Sequence, residues 1–379
     1  MTLVVDGVFF QLAQTGITRL WRTILPLLIE RVGMPVVFLD RGGKTGEFFG
    51  AEVVPFPAYK SKYTADDSKL LEDVCRHYGA KVFASTYYTT PLRTPSVLLV
   101  YDMIPERLGF DLSPRDWQEK EIAISHARRH VCISNNTRRD LLEFYPELDP
   151  ALATVAHCGI DTTVFRPQDP SAVAAFRKSL QLDRPYFILV GTRMQPYKNG
   201  KLLFDALEKM SNTDFDVLCV GGEKELPSFG AGGPRILRAE LEDRDLALAY
   251  AGAEALVYPS LYEGFGLPAV EAMSCQCPLI STSHGSLAEV AGDAAIKITG
   301  HSTEELIDAL HRVRNPDLRA TLIERGTTQA GLFRWEPFGD HLAGAIRQTA
   351  SDAAAGAFEE FYDRWSLIRS FQAEVDALM

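Results

Sequence analysis

Residues 254–273 read EALVYPSLYEGFGLPAVEAM, an apolar run, then a glycine-broken turn, then a run of good helix formers. The run EALVYPS is short and apolar enough for a buried strand. Gly264 and Gly266 let the backbone turn sharply and come close to a ligand. Pro268 suits the first position of a helix that continues through Ala269 to Met273. In an open α/β sheet, ligands bind at the carboxyl ends of strands, where this turn lies. A helix N-terminus offers unpaired N–H groups and the positive end of a dipole, both suited to a diphosphate. The stretch also places Glu263 in the loop and Glu271 one turn into the helix, so both can face one cleft. The plainer alternative is a strand–turn–helix in which Glu271 only complements the dipole.

The same unit recurs outward from this point. The runs LVVDGVFF, MPVVFLD, KVFAST, SVLLVYD, HVCISN and ATVAHCG read as strands in the first part of the chain. PYFILVGT, DFDVLCVGG, PRILRA, EALVYPS and CPLISTS form a second series. Amphipathic stretches at 20–32, 68–78, 200–210 and 245–252 lie between them. Strand–helix alternation at this spacing predicts parallel sheets covered by helices on both faces. It pauses at GIDTTVFRPQDP, residues 159–170, where a domain boundary is expected. Residues 358–379 read as an amphipathic helix late enough to cross back onto the first domain.

Bulk properties narrow the function. With 379 residues, two domains are expected. A net charge of −11 with scattered basic residues argues against nucleic-acid binding. The six cysteines form no C-x-x-C pair and several sit in apolar runs, which points to a reducing, cytoplasmic compartment. MTLVVDGVFF lacks a basic leader and reads as a first strand. No apolar run is long enough to span a membrane, so any membrane contact is expected to be peripheral. The pairs Arg128-Arg129 and Arg138-Arg139 offer a basic area for an anionic surface or a phosphorylated acceptor, or are solvated helix charges.

Other sites need their alternatives beside them. Gly191-Thr192-Arg193 follows a strand, and Lys198 comes soon after. Two cations there suit the charge on a departing diphosphate, whereas solvated surface cations are the commoner case. No G-x-G-x-x-G follows a first strand, against a dinucleotide enzyme. Asp214-Phe-Asp216 precedes its strand and Asp243-Arg-Asp245 reads as a helix cap, so neither D-x-D is expected to hold metal. No metal-ligand spacing occurs elsewhere, and none is predicted. Ser286 and Glu289 have capping-box spacing. Cys275 and Cys277 read as buried structure. Tyr101 ends a strand, with a hydroxyl that donates and accepts or a ring packed on Pro105.

The string YEGFGLPAVEAM, with its E-x7-E spacing, resembles the signature of retaining glycosyltransferases of the GT-B family 4, the glycosyl transferases group 1 type. GIDTTVF resembles that family's interdomain segment, and FILVGTRMQPYKN its phosphate loop. DRDLALAYAGAEALVYPS and SLAEVAGDAAI match flanking segments. TGITRL at 15–20 and VYDMIPE at 100–106 are similar to its N-terminal elements, although Tyr101 stands where many relatives have His. The likeness runs through most of residues 1–345 and is densest after Phe187. It implies two doubly wound, Rossmann-like domains facing a central cleft. The N-terminal acceptor domain would take 1–165, the nucleotide-sugar domain 166–345, and a C-terminal helical segment at 346–379 would pack on the first.

The resemblance also implies roles. Arg193, Lys198 and the N–H groups after Pro268 would hold the diphosphate, with Gly191 close by. Glu271 would bind the ribose, while Glu263 with Gly264, Phe265, Gly266 and Leu267 would bind the sugar. A base-binding edge is expected near Gly221, Gly222, Ile236 and Leu237. Gly16, Arg19 and Tyr101 would lie on the acceptor side, and Asp102 would be a catalytic, acceptor-facing carboxylate or else a structural cap. The two glutamates would position the donor and not act as a hydrolase pair. The implied function is retaining, metal-independent transfer of a mannose- or glucose-type hexose. Its donor would be a GDP- or UDP-sugar, with no other cofactor, and its acceptor a saccharide or lipid-linked saccharide. Bacterial surface-polysaccharide synthesis in the cytoplasm, at the inner face of the membrane, is the expected setting. A sugar-nucleotide epimerase, a phosphorylase and a non-catalytic nucleotide-sugar scaffold would share the architecture.

Overall fold

Buried apolar runs form the strands, as parallel sheets covered on both faces require. The computed structural model describes residues 1–13, 16–43, 50–230 and 232–378. By contacts the chain divides into Met1–His157 with Trp335–Met379, and Cys158–Arg334.

The first unit holds β1 (Thr2–Asp6), β2 (Val36–Arg41), β3 (Glu52–Phe56), β4 (Ala80–Ser85), β5 (Ser96–Val100), β6 (Ala127–Cys132) and β7 (Ala153–Val155). They form one parallel sheet in the order β3-β2-β1-β4-β5-β6-β7. The chain therefore leaves β1 toward one edge and resumes on its other side at β4. The helix Gly16–Val32 covers one face, burying Leu20, Trp21, Ile24, Leu25 and Leu28. The helix Trp335–Ala354 packs on that helix and on β4, β5 and β6. The last helix, Glu359–Leu378, lies against the helix Thr64–His77. There Arg369 reaches Glu119 at 3.1 Å and Ser68 at 2.8 Å.

The second unit holds β8 (Tyr186–Val190), β9 (Asp216–Val220), β10 (Ile236–Ala239), β11 (Leu256–Tyr258), β12 (Leu279–Ser281) and β13 (Ala295–Lys297). Its order, β10-β9-β8-β11-β12-β13, repeats the same plan, with the reversal between β8 and β11. Phe187, Leu189, Val217, Val257 and Ile280 pack with Leu203, Leu207, Leu306 and Leu310 in its core.

Several expectations change. LVVDGVFF is not one strand: β1 stops at Asp6, and Val8–Leu12 is a short helix. The Asp6 carboxylate turns inward to Arg41, at 2.8 and 2.6 Å, which also binds Asp67. Gly159–Phe165, expected to close the first domain, packs in the second unit. Ile160 and Phe165 are buried there, and the Phe165 ring lies 6.4 Å from that of Tyr250. The chain re-enters the first unit at Trp335, ahead of 346.

Candidate functional site

The loops after β8 and β11 meet where the second sheet reverses. Leu261 N–H donates to the Tyr197 carbonyl at 2.7 Å. Asn199 Nδ2 donates to the carbonyls of Pro259 at 3.1 Å and Gly300 at 2.8 Å. This stitching sets Lys198 over Glu263, with Nζ 2.9 and 2.7 Å from the two carboxylate oxygens. The Glu263 side chain is 7% exposed and that of Lys198 is 26% exposed, so the amine is the half of the pair that solvent reaches. Burial, and then the Glu263 carboxylate, push the Tyr258 hydroxyl well above its ordinary range.

The turn is built as its glycines suggest. Gly266 caps the helix Leu267–Ser274 at φ 103°, and a Cβ there would lie 2.8 Å from Leu287. Pro268 is the second helical residue, not the first. Phe265 points inward, its ring 5.3 Å from that of Phe333, so only its backbone can serve a ligand. Glu271 is buried and accepts from the Tyr250 hydroxyl at 3.1 Å. Leu267 is half-buried at the helix start.

Ser286 departs from its expected part. It makes no capping hydrogen bond, and its hydroxyl bonds to the carbonyls of Glu263 at 2.9 Å and Phe265 at 2.8 Å. It tethers the signature loop instead of closing a capping box with Glu289. Asp243 and Asp245 lie in the first turn of a helix whose cap position is Glu242.

Arg193 also takes a different place. It is 2% exposed, and its guanidinium donates to the Gly221 carbonyl at 2.7 Å and to those of Gly191 and Glu223. Its own N–H donates to the Glu223 carboxylate at 2.8 Å. A Cβ on Gly222 would sit 2.3 Å from the Gly191 carbonyl and 2.8 Å from the Arg193 guanidinium. Arg193 is thus a latch between the loop after β8 and the turn after β9, and Lys198 is the cation left nearer solvent. Leu237 pairs with Leu218 inside β10.

Among the expected acceptor-side residues, Gly16 and Arg19 are exposed on the helix Gly16–Val32, and Thr15 lies outside the described residues. The Tyr101 hydroxyl accepts from Trp21 Nε1 at 2.6 Å and donates to the Thr86 carbonyl at 2.8 Å. Asp102 accepts from the Ile104 N–H at 3.0 Å. The basic pairs are largely engaged: Arg128 lies 3.8 Å from the Phe361 ring centroid, Arg129 pairs with Asp352, and Arg138 binds the Ala153 carbonyl. Asp214 pairs with Arg314, and Asp216 is buried between Arg184 and Arg235. No cluster of three or more metal-ligating side chains occurs among the described residues, and Cys275 and Cys277 are buried thiols. None of the described helices is long and apolar enough to cross a membrane.

Asn199, Tyr250 and Ser286 were not read from sequence as parts of the site. Only Asn199 had a signal, the N-G turn dipeptide with Gly200, and it adopts φ 56°.

Solved structures place this fold. Sucrose-phosphate synthase from Thermosynechococcus elongatus superposes with a TM-score of 0.72 at 19% identity, covering 92% of this chain and 98% of that one. The Anabaena protein HepE in complex with UDP-glucose gives 0.68 at 16%, covering 94% and 100%. Two parallel-sheet α/β units with these neighbours define a GT-B fold. The family model for glycosyl transferases group 1 matches residues 184–315. O-antigen chain mannosyltransferase B of Escherichia coli is 30% identical over 282 residues, 69% of this chain and 72% of the relative. D-inositol 3-phosphate glycosyltransferase of Acidothermus cellulolyticus is 26% identical over 64% of this chain, and the match spans 58% of its length. The chain belongs to the glycosyl transferases group 1 family.

Proposed function

We propose that this chain transfers a mannosyl or glucosyl unit from a GDP- or UDP-sugar to a saccharide or lipid-linked saccharide, with retention and without metal. The observation that carries the reading is the Lys198–Glu263 pair, held beside a helix N-terminus where the second sheet reverses. A lysine there is a point charge for a departing diphosphate, and the dipole of the helix Leu267–Ser274 adds to it. Glu263, with both oxygens on Lys198, then acts as a positioning residue for that amine. Glu271 is assigned to the ribose, and the Gly264–Gly266 backbone to the sugar. Arg193 contributes indirectly, by fixing the Gly191 loop. The likeness to the O-antigen chain mannosyltransferase supports a hexosyl donor and a role in surface-polysaccharide synthesis.

Incubating the protein with GDP-mannose or UDP-glucose and an oligosaccharide, in EDTA, should yield a glycoside with the donor's anomeric configuration by NMR. An inverted product, or activity abolished by EDTA, would contradict the reading. The commitment of Arg193 to carbonyls favours a second reading, a nucleotide-sugar-binding protein without transfer. Binding with no product over prolonged incubation would select it, and a donor altered without acceptor would indicate an epimerase.

A further inference from the structure

The last helix, Glu359–Leu378, has two faces with different surroundings. Its inner face docks on the first unit. The Tyr362 hydroxyl donates to the His126 carbonyl at 2.9 Å, Arg369 binds Glu119 at 3.1 Å, and Asp376 accepts from Arg115 at 2.8 Å. Tyr362, Arg369, Ala373 and Asp376 are its buried residues, spaced for one side of a helix. Ile368, Phe371, Val375 and Leu378 follow one another at three, four and three residues, the spacing of a coiled-coil seam, and Leu367 widens the stripe. All five are 56–89% exposed. At about 3.6 residues per turn, the stripe lies on the side of the helix away from the buried residues. Docked by its inner face, the helix holds this apolar seam outward as a fixed surface.

Five side chains of this size, so exposed, offer on the order of 500 Å² of apolar surface, a patch of the extent that marks an interaction site. Two such patches pressed together would remove about 1,000 Å² from water, the lower bound for a specific interface. The charges on the helix bear on what covers it. Glu359, Glu360, Asp363, Glu374 and Asp376 stand against Arg364 and Arg369, and Arg369 is buried. A helix lying on an anionic membrane has the opposite bias, with Lys and Arg along its polar face. Arg364 falls within the stripe, one turn before Ile368, and its pairing with Glu360 is largely exposed and so holds it weakly. Glu374 is exposed at the edge of the stripe. A parallel pair of stripes would set Arg364 beside Arg364. An antiparallel pair sets Ile368 of one copy on Phe371 of the other and brings Arg364 beside Glu374 at both ends. The stripe is therefore complementary to itself in both shape and charge, as a two-fold contact requires.

We propose that this stripe is the interface of a homodimer, in which the last helices of two copies pair antiparallel about a two-fold axis passing between Ile368 and Phe371. The pairing is independent of the transferase reading. Sedimentation equilibrium of the full chain should show a dimer that dissociates at about 1–100 μM. Ile368→Glu and Phe371→Asp should sediment as monomers with an unchanged circular dichroism spectrum, because neither side chain is buried. Arg364→Glu and Glu374→Arg should each weaken association by about tenfold, and the double variant should restore it. Flotation with vesicles of equal parts phosphatidylcholine and phosphatidylglycerol would be measured in parallel, and the parent should stay unbound. A parent that remains monomeric throughout that range, a dimer that survives Phe371→Asp, or single charge variants that the double variant does not rescue would overturn the proposal. Vesicle binding lost in Phe371→Asp, with no dimer in solution, overturns it as well and assigns the stripe to a membrane.

Discussion

At the scale of single residues, the signature loop depends on a hydroxyl that its own motif does not contain. Ser286 binds two carbonyls of the loop, those of Glu263 and Phe265. Ser286→Ala leaves both without that donor, in a segment where Ser286 itself is fully buried. The loss should be about 1–2 kcal/mol of stability. Because the bonded carbonyls belong to the residues on either side of Gly264, the donor KM should rise more than kcat falls. Urea titration and initial rates check both effects, and an unchanged KM would show that the tether is dispensable. The sequence displayed Glu263 and Glu271, because glycines and proline mark the turn around them. It did not display their partners. Tyr250 lies on a helix face that reads as ordinary core, and Ser286 stands three residues before Glu289, where local spacing suggests a cap. A hydrogen bond across 21 or 23 residues leaves no periodic trace.

Among the elements, β6 and the helices around it carry a pH response. His130 is buried in β6, its Nε2 2.8 Å from the Ile124 carbonyl, and burial lowers its pKa to about 4 from 6.5. His126, stacked near Tyr362 and Trp365 of the last helix, is also lowered, with burial the main cause. The unfolded chain takes up these protons near pH 6.5 while the folded unit refuses them. Stability is therefore full above about pH 6.5 and falls as the pH drops, by roughly 3 kcal/mol for His130 by pH 4. The urea midpoint should follow that decline, and His130→Asn should flatten it. A midpoint as steep in the variant as in the parent would assign the fall to other groups. Central strands were legible because both faces are buried and their sequences are continuous apolar runs. The two that were missed, β3 and β13, are edge strands. β3 carries Pro55 and a largely exposed or half-buried pattern, so its sequence looks like a loop.

Across the whole molecule, one plan is used twice. Each sheet reverses beside its first strand, with the Lys198–Glu263 pair at the reversal between β8 and β11 and a cavity lined by aromatic rings at the reversal between β1 and β4. Strand–helix alternation made two parallel sheets legible from sequence, and the resemblance after Phe187 made the family legible. The first-unit cavity was not, because Phe9, Tyr59, Tyr87 and Trp117 come from four separate segments with no shared spacing. Nor was the latching of Arg193, since a loop arginine reads alike whether it faces a ligand or three carbonyls. In the proposed donor site, a nucleoside diphosphate binds the second unit through Lys198. Calorimetric titration of UDP and GDP into the protein and into Lys198→Ala tests it most directly. One nucleotide should bind the parent, and the variant should bind it about tenfold or more weakly with its circular dichroism unchanged. Equal affinity for parent and variant, or no binding of either nucleotide to the parent, would contradict the account.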